Sequence, residues 1–157
     1  MAIHVVLHEP DIPGNTGNIA RTCVGTYSTL HLIHPLGFSL DDKMLKRAGL
    51  DYWKYLSLKE YDSLEHFFQE NKTGQFFFVE DYGEQSYADI DFATIDEDLY
   101  FIFGSETEGL PLSLLEGKED RCLRLPMSGD VRSLNLSNTV AVVVFEALRQ
   151  RRFPKLK

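Results

Sequence analysis

Cysteine is nearly absent from this chain: its 157 residues include two, Cys23 and Cys122. One falls in a helical pattern and one near a strand, so they read as packed, reduced thiols rather than a disulfide framework. No Cys-x-x-Cys occurs and the five histidines form no dense cluster, so they read as core or surface residues and no metal site is expected. No apolar run approaches the roughly 18 residues that cross a bilayer, which excludes a spanning helix. The amino terminus runs straight into a strand pattern without a basic segment and long apolar core. Secretion is therefore not expected, and the cytoplasm is. Positive charge is also in deficit: 16 Lys and Arg face 24 Asp and Glu, a formal net charge of −8. That excludes a protein that coats nucleic acid indiscriminately, since such binding rests on phosphate neutralisation.

The chain has no internal repeat, low-complexity tract or linker, and its length suits one domain over residues 1–157. Short β-prone runs predict strands at Ile3–Leu7, Leu30–Ile33, Phe76–Val79, Leu99–Phe103 and Arg121–Leu125. Helices are predicted at about Thr16–Thr26, Asp42–Ala48, Ser63–Glu70, Leu112–Glu116 and Ser137–Arg152. Their alternation predicts an α/β fold with a mostly parallel, doubly wound sheet flanked by helices. Val140-Ala-Val-Val-Val-Phe145 fits a buried strand or a helix; the Glu146-Ala-Leu-Arg-Gln tail favours the helix. Val140, Val143, Val144, Ala147 and Leu148 then form one stripe, with Val142 and Phe145 off it and available to a subunit interface. Basic residues gather at Lys43, Lys46, Arg47 and Lys54 and again at Arg149, Arg151, Arg152, Lys155 and Lys157. These are solvated helix ends or selective contacts with RNA.

Three segments carry the chemistry. Glu9-Pro-Asp-Ile-Pro-Gly-Asn-Thr-Gly-Asn-Ile-Ala-Arg21 follows the first strand and enters a helix. It matches neither Gly-x-Gly-x-x-Gly nor the Walker pattern, which disfavours nucleotide-triphosphate chemistry. Asn15, Thr16 and Asn18 can cap the helix or meet a ligand, and Arg21 is a surface arginine or a polyanion contact. In Gly104-Ser-Glu-Thr-Glu-Gly-Leu-Pro111, Gly104 lets a ligand approach the backbone where a strand ends. Glu106 and Glu108 form no glycosidase pair. Glu106 reads as a loop organiser that accepts from backbone N–H groups. In Met127-Ser-Gly-Asp-Val-Arg-Ser-Leu-Asn-Leu-Ser-Asn138, the residues Ser133, Asn135, Ser137 and Asn138 exceed what one helix cap requires, and the surplus points to a ligand.

Taken together and in this order, Asn15–Arg21, Phe103–Pro111 and Leu125-Pro-Met127 through Arg132–Asn138 resemble the SPOUT family of S-adenosylmethionine-dependent RNA methyltransferases over nearly the whole chain. The lack of an appended RNA-binding domain and the Asp41–Tyr52 stretch are similar to its minimal TrmL (YibK-like) branch. That branch methylates the ribose 2′-oxygen of the wobble cytidine or uridine of certain leucine tRNAs. The resemblance implies a carboxyl-terminal trefoil knot, a homodimer and bent S-adenosylmethionine, with S-adenosylhomocysteine as product. It places cofactor contacts at Val79, Gly104, Leu125 and Ser133, with Met127, Leu134 and Asn138 beside them. Glu80-Asp-Tyr, after Val79, departs from the Thr-Thr-Lys common in the branch. Arg21 is implied at the reacting hydroxyl, as phosphate and alkoxide contact rather than base, with Asn18, Ser133 and Asn135 orienting the ribose. The tRNA anticodon stem-loop is expected on Lys43, Lys46, Arg47, Arg149, Arg151 and Arg152. Ribosomal RNA as substrate and a non-catalytic RNA-binding protein stand as alternatives.

Overall fold

The computed structural model describes residues 1–41, 43, 47 and 51–157. Among the described residues seven strands form one sheet: β1 (Ile3–His8), β2 (Thr29–Ile33), β3 (Ser57–Tyr61), β4 (Gln75–Val79), β5 (Gln85–Ser86), β6 (Leu99–Phe103) and β7 (Cys122–Arg124). Their order is β3-β2-β1-β6-β4-β7-β5, and every pairing is parallel. Among the described residues the α-helices with full bounds are α1 (Pro13–Thr26), α2 (Leu64–Glu70), α3 (Leu112–Leu115) and α4 (Leu136–Gln150). The α/β sheet expected from the alternation is present. The helix predicted at Asp42–Ala48 falls largely outside the described residues.

β1 and β6 are buried almost throughout because helices cover both faces of the sheet. One core layer packs Val5, Leu7, Phe101 and Phe103 against Ile19, Cys23, Val140 and Val144 of α1 and α4. The other packs Val6, Phe78, Tyr100 and Ile102 against Phe67 of α2 and Leu115 of α3. Within α4 the buried residues are Val140, Val143, Val144, Ala147 and Leu148, the predicted stripe, and Phe145 is 47% exposed. Burial raises the thiol pKa of Cys23 to about 12 and of Cys122 to about 11, so both stay protonated and unreactive.

Two strands have no counterpart in the sequence reading. Ser57-Leu-Lys-Glu-Tyr61 is a mostly exposed edge strand with too little apolar alternation to be read as one. β5 is two residues long. α1 begins at Pro13, three residues before its predicted start, because Pro13 and Gly14 look like loop residues yet proline is suited to a first helical turn.

One polar chain runs through the second core layer. Asn71 Nδ2 donates to Tyr61 Oη at 3.2 Å, Tyr61 Oη lies 2.9 Å from His31 Nδ1, and His31 Nε2 lies 2.8 Å from His4 Nδ1. His4 Nε2 faces Asp98 at 3.6 Å. With both rings neutral, the hydrogens assign in one direction, from Asn71 through Tyr61 and His31 to His4, whose Nε2 faces Asp98 beyond hydrogen-bond distance. His4 and His8 stand four residues apart, about 13 Å along extended strand, too far to share an ion.

Candidate active site

In a parallel sheet every strand delivers its carboxyl end to the same edge. β1, β6, β4 and β7 are neighbours, so the loops after them meet there, where backbone groups are free of the ladder. They enclose a cavity of about 450 Å³, within the size range of small-molecule sites. All three sequence segments contribute to its wall.

Asn15 joins them. It is buried on the first turn of α1. Its Nδ2 donates to Glu106 Oε1 at 3.1 Å, and its Oδ1 accepts from Asn135 Nδ2 at 3.0 Å. Glu106 also accepts from the backbone N–H groups of Asp11 at 2.7 Å and Ile12 at 3.2 Å. α1 has no side-chain N-cap and no acid in its first turn. Glu106, remote in sequence, therefore supplies the anion that the helix start favours. Thr107 Oγ1 donates to Asp11 Oδ2 at 2.6 Å, tying the loop down beside it. Asn135 caps α4, accepting from Ser137 N at 2.9 Å and Ser137 Oγ at 2.6 Å. The expectation that Glu106 organises backbone N–H groups holds in kind, and the loop it organises is the one before α1.

Gly104 ends β6 where backbone meets backbone: a Cβ there would lie 2.1 Å from the carbonyl carbon of Gly109. Gly109 takes φ 70° to close the turn and donates to the Ser105 carbonyl at 3.1 Å. Its neighbour Leu110 donates to the Glu80 carboxylate. Burial holds the Glu80 pKa above its ordinary value, against the Leu110 hydrogen bond that lowers it. Asp81 faces Arg132 at 3.5 Å across the mouth, and with Arg132 90% exposed this pair contributes little.

Val79, Gly104, Leu125, Met127, Ser133 and Leu134 all stand in the wall, as does Asn135. Asn138, Asn18 and Arg21 do not line it. Arg21 is exposed on α1 with its guanidinium 4.9 Å from the centre of the Tyr52 ring. Sequence reasoning passed over Asn15 as the hub and Glu80, Asp81 and Tyr82 as wall. The available signal was that they directly follow a central strand. A second hollow of about 510 Å³ lies across the 105–111 loop, and its walls take nothing from residues 125–139.

Of the predicted RNA contacts, Lys43 and Arg47 are exposed, and Lys46 lies outside the described residues. Arg149 is bound to Glu146 through two hydrogen bonds. Arg151 donates to the carbonyls of Phe92 at 3.1 Å and Ile95 at 2.9 Å. Arg152 is exposed. Among the described residues no three His, Cys, Asp or Glu side chains are arranged to hold a metal, and no helix is long and apolar enough to cross a membrane.

The wall contains four carboxylates, Glu80, Asp81, Glu106 and Glu108, and one guanidinium, Arg132. Such a site suits a cationic ligand with apolar parts better than a polyphosphate. Fold and site together define a parallel α/β protein with a candidate small-molecule cavity at the carboxyl edge of its sheet. The SpoU rRNA Methylase family model matches residues 2–145, and the chain belongs to that family. A curated protein of Bacillus subtilis (strain 168), named "Putative tRNA (cytidine(34)-2'-O)-methyltransferase", is 59% identical over 157 residues, covering 100% of this chain and 98% of the relative. A solved structure from Bacillus anthracis superposes with a TM-score of 0.93 at 55% identity, covering 99% of this chain and 98% of the other. Another, described as giving insight into 2-OH methylation of C/U34 on tRNA, has a TM-score of 0.88 at 42% identity, with 95% of each chain covered.

Proposed function

We propose that the chain moves a methyl group from S-adenosylmethionine to the ribose 2′-oxygen of the wobble cytidine or uridine of tRNA, leucine isoacceptors included. The observation that carries this is the cavity where the three segments meet, anionic in its wall and partly apolar. The substrate class follows the relatives described for nucleotide 34.

S-adenosylmethionine supplies an electrophilic methyl carbon on a positively charged sulfur. Val79, Gly104, Leu125 and Ser133 would hold it, with Met127 and Leu134 as apolar cover and Asn138 nearby. At Gly104 the closely approaching backbone is that of Gly109 and Leu110 rather than a ligand's, so this glycine shapes the wall by letting the 104–110 loop close on itself. Asn135, fixed on one side by Asn15 and on the other by Ser137, would hold the ribose in register with Ser133. Such alignment can lower the barrier by several kcal/mol. Arg21 cannot serve as the base, since guanidinium stays protonated. It would bind the adjacent phosphate and stabilise the forming alkoxide.

Asn18 and Arg21 face outward on α1, away from their own cavity, so we infer a homodimer that brings them to the cavity of the partner. Exposed Phe145 on α4, which packs beside α1, fits such an interface. The anticodon stem-loop would rest on Lys43, Lys46, Arg47, Arg149, Arg151 and Arg152, its unstacked bases and 2′-hydroxyl giving selectivity. A trefoil knot around the cavity, a single domain and a cytoplasmic location belong to the same reading.

The test is methyl transfer from labelled S-adenosylmethionine to total RNA, ribosomal and transfer, from a strain lacking the enzyme, with the modified nucleotide mapped. Label as a 2′-O-methyl group at position 34 is expected; label only in ribosomal RNA, or binding without transfer, refutes the reading.

A further inference from the structure

The carboxylates of the cavity wall do not stand in equivalent surroundings. Glu106 is satisfied by three N–H donors at the start of α1, and Asp81 faces Arg132. Glu80 is different. It directly follows β4 and is half-buried, and Leu110 N holds its carboxylate in place. The Gly109 backbone stands so close that a Cβ there would lie 3.0 Å from Oε1. Burial raises its pKa and Asp81 pushes the same way, against the Leu110 N–H and, more weakly, the Asp81 N–H and Arg132. A fixed, poorly solvated anion beside a ligand cavity stabilises a positive ligand over a neutral one of the same shape.

S-adenosylmethionine and S-adenosylhomocysteine differ in this way. As the ribose oxygen bonds to the methyl carbon, the carbon–sulfur bond breaks with its electron pair on sulfur. The hydroxyl proton passes to an acceptor, and the sulfur is left neutral. We propose that Glu80 is a specificity-determining residue that makes the cavity prefer the charged donor to its spent product, so that transfer itself weakens the hold on what remains. This rests on the reading of the cavity as the methyl-donor site.

Calorimetric titration of the full chain with S-adenosylmethionine, S-adenosylhomocysteine and sinefungin, whose amine carries a positive charge near the sulfonium position, tests it. In Glu80→Gln the preference for each cationic ligand over S-adenosylhomocysteine should fall about fivefold, while Glu80→Asp retains it. Equal weakening of all three ligands in Glu80→Gln overturns the proposal. Should that variant fail to fold, the unaltered chain still decides: sinefungin must bind more tightly than S-adenosylhomocysteine, and parity overturns the proposal. Silence toward all three overturns the donor-site reading itself, and this inference with it.

Discussion

Acid should destabilise this protein through His31 before most of its carboxylates titrate. The ring is fully buried. Desolvation, aided by nearby His4 and Lys59, lowers its pKa from 6.5 to about 3. Around it stand Tyr61 from β3, Phe67 from α2 and Tyr100 from β6, none of them carrying a negative charge. Since the folded pKa is depressed, the unfolded chain takes up the proton first. Stability is fully present above about pH 6.5 and declines as the pH falls toward 3. The slope approaches about 1.4 kcal/mol per pH unit, so His31 alone removes about 2 kcal/mol between pH 7.5 and pH 5. His4 and His8, also held below their ordinary values by burial, act in the same direction. Urea unfolding at half-unit pH steps measures the loss, and a His31→Gln variant, whatever its cost at neutral pH, should lose stability less steeply by one proton's worth. Equal slopes for variant and parent, or an imidazole resonance of His31 that titrates near pH 6.5 in the folded protein, would refute this.

Glu106→Ala should cost about 3 kcal/mol, since it removes an anion accepting three N–H bonds at a helix start, and amide exchange at Asp11 and Ile12 should rise by a matching factor. Arg151→Ala should lower stability by about 1–3 kcal/mol through the Phe92 and Ile95 carbonyls. Arg152→Ala should leave the melting temperature unchanged and weaken tRNA binding in a filter assay. Gly104→Ala should destabilise by about 3 kcal/mol in denaturant titration, because its methyl group meets backbone rather than a side chain that can turn away.

The central strands and the α4 stripe were legible because burial imposes a pattern: β6, Leu-Tyr-Phe-Ile-Phe, has both faces covered, and Val140 to Leu148 repeats at helical spacing. β3 was not, since an edge strand keeps Lys59 and Glu60 in solvent and only Leu58 and Tyr61 inward. The first turn of α1 was hidden for a different reason. Its stabilising anion, Glu106, lies on the loop after the neighbouring strand β6, and local sequence cannot report a cap supplied from another loop. For the same reason Asn15 read as a possible cap, while its bonds to Glu106 and Asn135 emerged only from the fold. Arg151 illustrates the converse: a basic run suggests a free surface, yet its guanidinium is held by the Phe92 and Ile95 carbonyls, while Arg149 stays exposed beside Glu146.

Isothermal titration of the purified chain with S-adenosylmethionine, repeated on Ser133→Trp, whose bulk would enter the cavity from an exposed wall position, tests most directly whether the junction of the three loops is the methyl-donor site. A saturable one-to-one isotherm for the parent that vanishes in a still-folded variant is the result predicted here. No heat of binding in the parent even with tRNA present, or undiminished affinity in the variant, would contradict it.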